Sequence, residues 1–212
     1  METKEIKTEQ RTAEWFTARK GRFTGSEIHL LMGIKGLGKT GEAYCFKKAI
    51  EVVYGLNEDE RFTTFDMQRG IDLEPVAFAK FKELKGLDFK EVEECSFFAF
   101  GDNSGASPDG LVDKDAVLEI KCPKSEKFFN LVANGEGAID KAYLHQMQCE
   151  MMCTNSQKAY FFNFLIHNGV EMHHTIEVER DEELIEKMKA RIEEAVVIRD
   201  QYVKQLTENK QF

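Results

Sequence analysis

Two short blocks carry the side chains whose types and spacing suit chemistry: Ser107-Pro108-Asp109-Gly110 and, a little further on, Leu118-Glu119-Ile120-Lys121. In an extended strand, residues two apart face the same side. Glu119 and Lys121 therefore project together, and Leu118 and Ile120 turn the other way into apolar packing. If the two blocks form the arms of a hairpin about Asp113-Lys114-Asp115, Asp109 stands beside Glu119. Neighbouring carboxylates repel, and a divalent cation relieves that repulsion. Magnesium suits such a pair, because it takes hard oxygen ligands and keeps waters and phosphate oxygens in its shell. The Lys121 ammonium beside it could orient or deprotonate a water next to a scissile phosphate. A Glu-x-Lys pair alone is ordinary on exposed strands, where it forms a weak surface ion pair. The Ser-Pro-Asp-Gly block upstream is what singles this one out.

The elements that must position these groups follow from periodicity and breakers. Trp15 to Arg22 leads into Thr24-Gly25-Ser26-Glu27, a capping signal ahead of the apolar Ile28 to Met32. A Gly/Lys-rich loop runs from Gly33 to Gly41, then Glu42 to Tyr54 reads as a helix closed by Gly55. Gly70 to Lys85 reads as the next helix, with Pro75 in its first turn. Strands are expected over Phe89–Val92, Ser96–Phe100, Ala106–Val112 and Ala116–Lys121, with a turn at Gly101 to Gly105. Helices follow near Ser125–Ala133 and Ile139–Cys153. Strands are again expected at Lys158–Ile166 and Met172–Val178, joined across His167-Asn168-Gly169, and a long helix over Asp181–Gln205 is capped by Asp181. This order indicates an α/β or α+β chain with a mixed sheet. Its 212 residues suit one domain, 1–212, with a polar and flexible segment at 1–10.

Apolar residues make up 42% and charged residues 32%, the balance of a soluble globular chain. No apolar run approaches the ~18 residues of a membrane helix, and Met1 to Gln10 lack a signal-peptide core, so the expectation is a cytoplasmic protein without a membrane partner. The five cysteines, Cys45, Cys95, Cys122, Cys149 and Cys153, are odd in number and irregularly spaced, which favours buried thiols over disulfides. His145, Cys149 and Cys153 share a helix, but at ~1.5 Å rise per residue the outer two lie roughly 12 Å apart, too far to share one zinc ion. The net charge of −9 argues against a nucleic-acid ligand, yet it is uneven: residues 1–50 hold 10 basic against 6 acidic groups, and residues 51–170 hold 12 against 21. Binding a nucleic-acid backbone needs local positive potential, and acidic residues in the middle are what a cation site requires.

Taken in order, several blocks resemble the lambda exonuclease, or YqaJ-like viral recombinase, family of the PD-(D/E)XK nuclease superfamily. They are Trp15-x-x-x-Arg19, Thr24-Gly25-Ser26-Glu27, Gly70-x-x-x-Glu74, Ser107-Pro108-Asp109-Gly110-Leu111, Leu118-Glu119-Ile120-Lys121-Cys122-Pro123, Ala142-Tyr143-x-x-Gln146 and Glu179-Arg180-Asp181-Glu182. The resemblance implies an α/β fold, with a central mixed β-sheet flanked by helices and a restriction-endonuclease-like core. It also implies a nuclease that digests double-stranded DNA ends 5′→3′, releases mononucleotides and leaves 3′ single-stranded tails. Asp109, Glu119 and the Ile120 carbonyl would hold Mg2+, with Mn2+ able to substitute. Lys121 would handle the attacking water, and Glu74 would be a further acid of the site. Arg19, Ser26, Ser107 and Gln146 match positions that hold the terminal 5′-phosphate, and Met67 falls where an apolar residue wedges the last base pair. A homotrimeric ring, a single-strand annealing protein as partner, and action in a bacterial or phage-infected cytoplasm belong to the same expectation. Cys149 departs from the tyrosine of lambda exonuclease, and His145 replaces a small residue.

Three motifs compete. Gly33 to Thr40 spells the phosphate-loop pattern G-x-x-x-x-G-K-T, which requires a preceding buried strand. The capped segment before it is expected to be helical, so an ATPase is the distant alternative, and Lys35 and Lys39 are better read as DNA-backbone contacts. His173 and His174 are adjacent on a strand and face opposite sides. The aromatic run Tyr160 to Phe164 reads as a strand buried on both faces. A PD-(D/E)XK endonuclease of different DNA specificity is the nearer alternative.

Overall fold

The structure, a computed structural model, describes residues 2–56, 64–84 and 91–209. Among these residues the expected α/β architecture takes the form of two mixed sheets flanked by helices. The smaller is ordered β1 (Thr3–Ile6), β4 (Phe97–Phe100), β5 (Ser104–Ala106) and β2 (Phe23–Thr24), with only β5 and β2 parallel. The larger runs β3 (Val92–Glu93), β6 (Gly110–Val112), β7 (Ala116–Lys121), β8 (Lys158–His167) and β9 (Val170–Glu179), with only β7 and β8 parallel. Six α-helices accompany them: α1 (Ala13–Arg19), α2 (Gly38–Tyr54), α3 (Phe65–Lys82), α4 (Ser125–Asn134), α5 (Lys141–Thr154) and α6 (Glu182–Glu208).

The expected strand Ala106–Val112 is two strands in different sheets, and the reason lies at Pro108. Proline offers no N–H to a ladder, so the chain leaves the small sheet after Ala106 and enters the large one at Gly110. Residues 3–6, expected to be flexible, instead pair with Phe97–Phe100 along an edge. Pro75 is not in a first turn. The Thr64 hydroxyl accepts the Met67 N–H and starts α3 at Phe65, which leaves Pro75 inside the helix on its exposed side. Of the expected strand over Phe89–Val92 only Glu91 and Val92 are among the described residues, and Lys85, the expected end of the helix from Gly70, lies outside them.

Strand β7 is buried on both faces, and its alternation divides the core. Ala116, Leu118 and Ile120 join Tyr160, Phe162 and Phe164 of β8 under α3, while Val117 joins Ala159 and Phe161 under α4 and α5. Helix α5 lies between the sheets: Met147 and Met151 pack on the large one, and Cys149, Met152 and Cys153 pack on the small one beside α2 and α6. That leaves little room for water around α5, which is buried from Gln146 to Cys153.

The small sheet is closely packed at Gly105. A β-carbon there would come 2.2 Å from the Phe97 ring and 2.7 Å from the Phe98 carbonyl oxygen. Gly105→Ala is therefore expected to destabilise the fold by about 1–3 kcal/mol, the cost of overpacking a filled core. Chemical denaturation would measure this, and an unchanged midpoint would show that the strand yields freely.

Candidate active site

The β6–β7 hairpin turns through Asp113 and Lys114, at φ of 50° and 62°. Two consecutive left-handed residues match the twist of a tight hairpin. The register sets Gly110 opposite Leu118, which brings Asp109 next to Glu119. Asp109 makes the last backbone rung, its N–H donating to the Leu118 carbonyl at 3.0 Å, and beyond it the side chain takes over: its Oδ2 accepts the Ile120 N–H at 2.7 Å. The residue that ends the ladder is thus fixed at the strand end.

Glu119 is 1% exposed. Its Oε1 accepts hydrogen bonds from Lys121 Nζ and, at 2.7 Å, from Gln146 Nε2. Its Oε2 is buried with no hydrogen-bond partner among the described residues. Burial, then the charge of Glu119, pushes the Asp109 carboxyl well above the usual carboxylate range, against the pull of Lys121. Burial alone would lower the Lys121 pKa, but the charges of Glu119 and Asp109 and the hydrogen bond to Glu119 outweigh it and hold the ammonium well above its ordinary value. Glu150, behind Gln146, is also held protonated to well above the usual range, first by burial and then by Glu119.

Asp109, Glu119 and Lys121 line one cleft of about 1010 Å³ with Arg19, Ser26, Met67, Glu74, Ser107 and Gln146. Its charged lining is balanced, with Arg11, Arg19, Arg69, Lys121, Lys124 and Lys127 against Asp66, Glu74, Asp109, Glu119, Glu126 and Asp140. A net charge of −9 overall thus leaves a cleft that one divalent ion would make positive. At one end, the Arg19 guanidinium stacks on Trp15, 4.0 Å from the ring, and reaches the Ser26 hydroxyl at 3.4 Å. The Trp15 indole N–H donates to Ser107 Oγ at 2.9 Å. Arg19, Ser26 and Ser107 thus form one linked corner. Gln146 is turned toward the acids, since its Nε2 serves both Glu119 and Glu150.

Lys35 and Lys39 are exposed and do not line the cleft, so a DNA backbone they contacted would run outside it. The segment before their loop is a 3-10 helix, Gly25–Leu31, so the phosphate-loop spelling lacks its strand. His173 packs its ring against Phe162 and His174 faces the other way along the β9 register.

Sequence reasoning missed two residues at the cleft and one buried behind it. Arg11, at φ 69°, bonds Glu74 Oε2 at 2.6 Å. Asn163, opposite Lys121 in register, is fully buried with its Oδ1 unpartnered. The signal for Asn163 was a single polar residue inside an aromatic strand; Arg11 had none. The third, Glu150, was hidden in an otherwise apolar helix.

The unpartnered Glu119 oxygen beside a second carboxylate is the environment a hard cation would complete. Among the described residues no group of three or more His, Cys, Asp or Glu could hold a metal by itself. Two carboxylates with water and phosphate oxygens are the usual protein contribution to magnesium, so the donor set fits that ion and not a closed zinc site.

A sequence model of the YqaJ-like viral recombinase domain matches residues 14–157. No curated protein sequence matches significantly. Among solved structures, the alkaline exonuclease LHK-Exo from Laribacter hongkongensis is 27% identical with a TM-score of 0.80, covering 93% of this chain and 97% of its own. LHK-Exo in complex with dAMP matches at 26% and 0.79 over the same shares. A phage related exonuclease from Haemophilus somnus 129PT shares the fold at 20% identity and a TM-score of 0.70, over 87% of this chain and 96% of that one. No helix among the described residues is long and apolar enough to cross a membrane.

Proposed function

This chain belongs to the YqaJ-like viral recombinase domain family, and on that premise we propose that it is a magnesium-dependent exonuclease that degrades one strand of duplex DNA 5′→3′ from an end, releasing mononucleotides and leaving a 3′ single-stranded tail. Nuclease activity is supported by the likeness to an alkaline exonuclease over nearly the whole of both chains. The observation that carries the site is the buried, half-satisfied carboxylate of Glu119 on the floor of a cleft, with Asp109 and Lys121 beside it.

In this reading Asp109, Glu119 and the Ile120 carbonyl would hold the ion, which would supply Lewis-acid chemistry at the scissile phosphate. Lys121 would hydrogen-bond the attacking water and, as the neutral amine, accept its proton. Glu74, held by Arg11, presents a further carboxylate across the cleft. The corner of Arg19, Ser26 and Ser107 binds the terminal 5′-phosphate: a guanidinium forks onto phosphate oxygens, and the hydroxyls add donors. A phosphate bound there would set the scissile bond a fixed distance away, so cleavage proceeds stepwise from the end. Met67, half-exposed at the mouth, would wedge the terminal base pair. A ring-shaped homotrimer and a single-strand annealing protein that coats the tail are part of the same proposal.

Linear duplex and covalently closed circle, incubated side by side with Mg2+ and with EDTA, test it. Loss of the linear duplex to mononucleotides in Mg2+ alone, with the circle intact, is expected. Nicking of the circle would favour the endonuclease alternative, and digestion in EDTA would remove the metal.

A further inference from the structure

We infer that Glu150 is a positioning residue of this site: by accepting the Gln146 amide it aims that amide at Glu119, and so fixes the carboxylate that takes the metal. The inference rests on the reading of Glu119 as a metal ligand.

Glu150 sits one turn after Gln146 on α5, is 1% exposed, and does not line the cleft. Gln146 Nε2 donates to Glu119 Oε1 at 2.7 Å and to Glu150 Oε1 at 2.9 Å. An amide nitrogen has two N–H groups, and both are committed to carboxylates. Lys121 supplies a second donor to the same Glu119 oxygen. Glu119 Oε1 is therefore held by two donors from two elements, and among the described residues Oε2 is the oxygen left without a donor. Removing the acceptor at position 150 leaves one Gln146 N–H buried and unsatisfied and frees the amide to turn away.

Packing alone does not account for a carboxyl here. A buried acid is a costly way to fill space that a methyl-bearing side chain fills without desolvation. The neighbouring Gln148 shows what a purely architectural polar residue on this helix looks like. Its amide donates to the Glu179 carbonyl and its carbonyl accepts the Asp181 N–H, so both ends fasten the start of α6. Among the described residues Glu150 makes no comparable side-chain link to a neighbouring element's backbone. Its side chain is turned toward the cleft, accepting from Gln146 and lying against the Glu119 carboxyl.

Glu150→Gln keeps an acceptor oxygen, and Glu150→Met keeps the volume without one. Binding of Mn2+ to the protein without DNA, followed by the loss of the free-ion electron paramagnetic resonance signal, separates the possibilities. Glu150→Met should weaken Mn2+ binding by about 10- to 100-fold, the usual cost of losing a partner that orients a metal ligand, and Glu150→Gln should stay close to the unaltered chain. Gln146→Leu cuts the same link from the other side, so the double variant should lose little beyond either single one. Equal binding by Glu150→Met overturns the inference, since volume alone would suffice. Equal loss in Glu150→Gln also overturns it, since charge would then be the requirement. Additive losses in the double variant would break the proposed link even if one single variant folds poorly. Glu119→Gln is the control for the underlying reading: if it binds Mn2+ as the unaltered chain does, the metal assignment falls first and this inference falls with it.

Discussion

Lys121→Ala is expected to lower strand hydrolysis by at least about 10²-fold, in the range that a positioned proton-transfer group supplies, while duplex binding changes little. Without an ion, Lys121 is a cation tied to Glu119 and reinforced by Asp109, a state in which it neutralises the acids and takes no proton. A divalent ion on the same two carboxylates would replace it as their counterion, withdraw the charges that keep its pKa high, and free the amine toward the water. Lysine can make that change because its ammonium shifts readily with surroundings, whereas a guanidinium stays charged. Lys121→Arg therefore tells the roles apart. If Lys121 moves a proton, arginine fails as alanine does; if it only supplies charge, arginine restores much of the rate. Single-turnover cleavage at saturating Mg2+, with binding measured in Ca2+, would decide it. Undiminished cleavage by Lys121→Ala would dismiss Lys121 from the chemistry.

How far the site was legible depended on whether its geometry is local. The pairing of Glu119 with Lys121, and the turn of Leu118 and Ile120 into the core, follow from the period of one strand. The approach of Asp109 to Glu119 needs only one short hairpin whose turn residues tolerate positive φ. The passage from one sheet to the other at Pro108 was not legible as such: Ser104 to Val112 reads as a turn running into a strand, and nothing local says that its two ends belong to different sheets. Glu150 was hidden for a related reason. On an apolar helix it reads as solvent-facing, and only the packing of α5 between two sheets buries it. The Arg11–Glu74 pair joins residues 63 apart, with no motif on the arginine side. Edge strand β1 was missed because its polar residues gain order from pairing with Phe97–Phe100, not from burial of their own side chains.

Arg19→Ala is expected to erase the preference for a 5′-phosphorylated end, lowering kcat/KM on the phosphorylated duplex by about 10- to 100-fold, since a hydrogen bond to a charged partner is worth roughly 1.5–3 kcal/mol. Cleavage of the 5′-hydroxyl duplex should change little. The reason lies in how the side chain is held. Stacking on Trp15 at 4.0 Å fixes the plane of the guanidinium, and the bond to Ser26 sets its rotation, so the fork is in place before a phosphate arrives. The Trp15 N–H bound to Ser107 ties that orientation to the strand end that also carries Asp109. An end anchored at this corner is thereby referenced to the proposed metal carboxylates through a few residues of rigid chain, which is what stepwise removal of single nucleotides requires. Arg19→Lys keeps the charge without the planar fork and should fall between the two. Comparing kcat/KM for 5′-phosphate and 5′-hydroxyl duplexes across the three proteins reads this directly; an Arg19→Ala enzyme that still prefers the phosphorylated end by the original ratio would place end recognition elsewhere in the cleft.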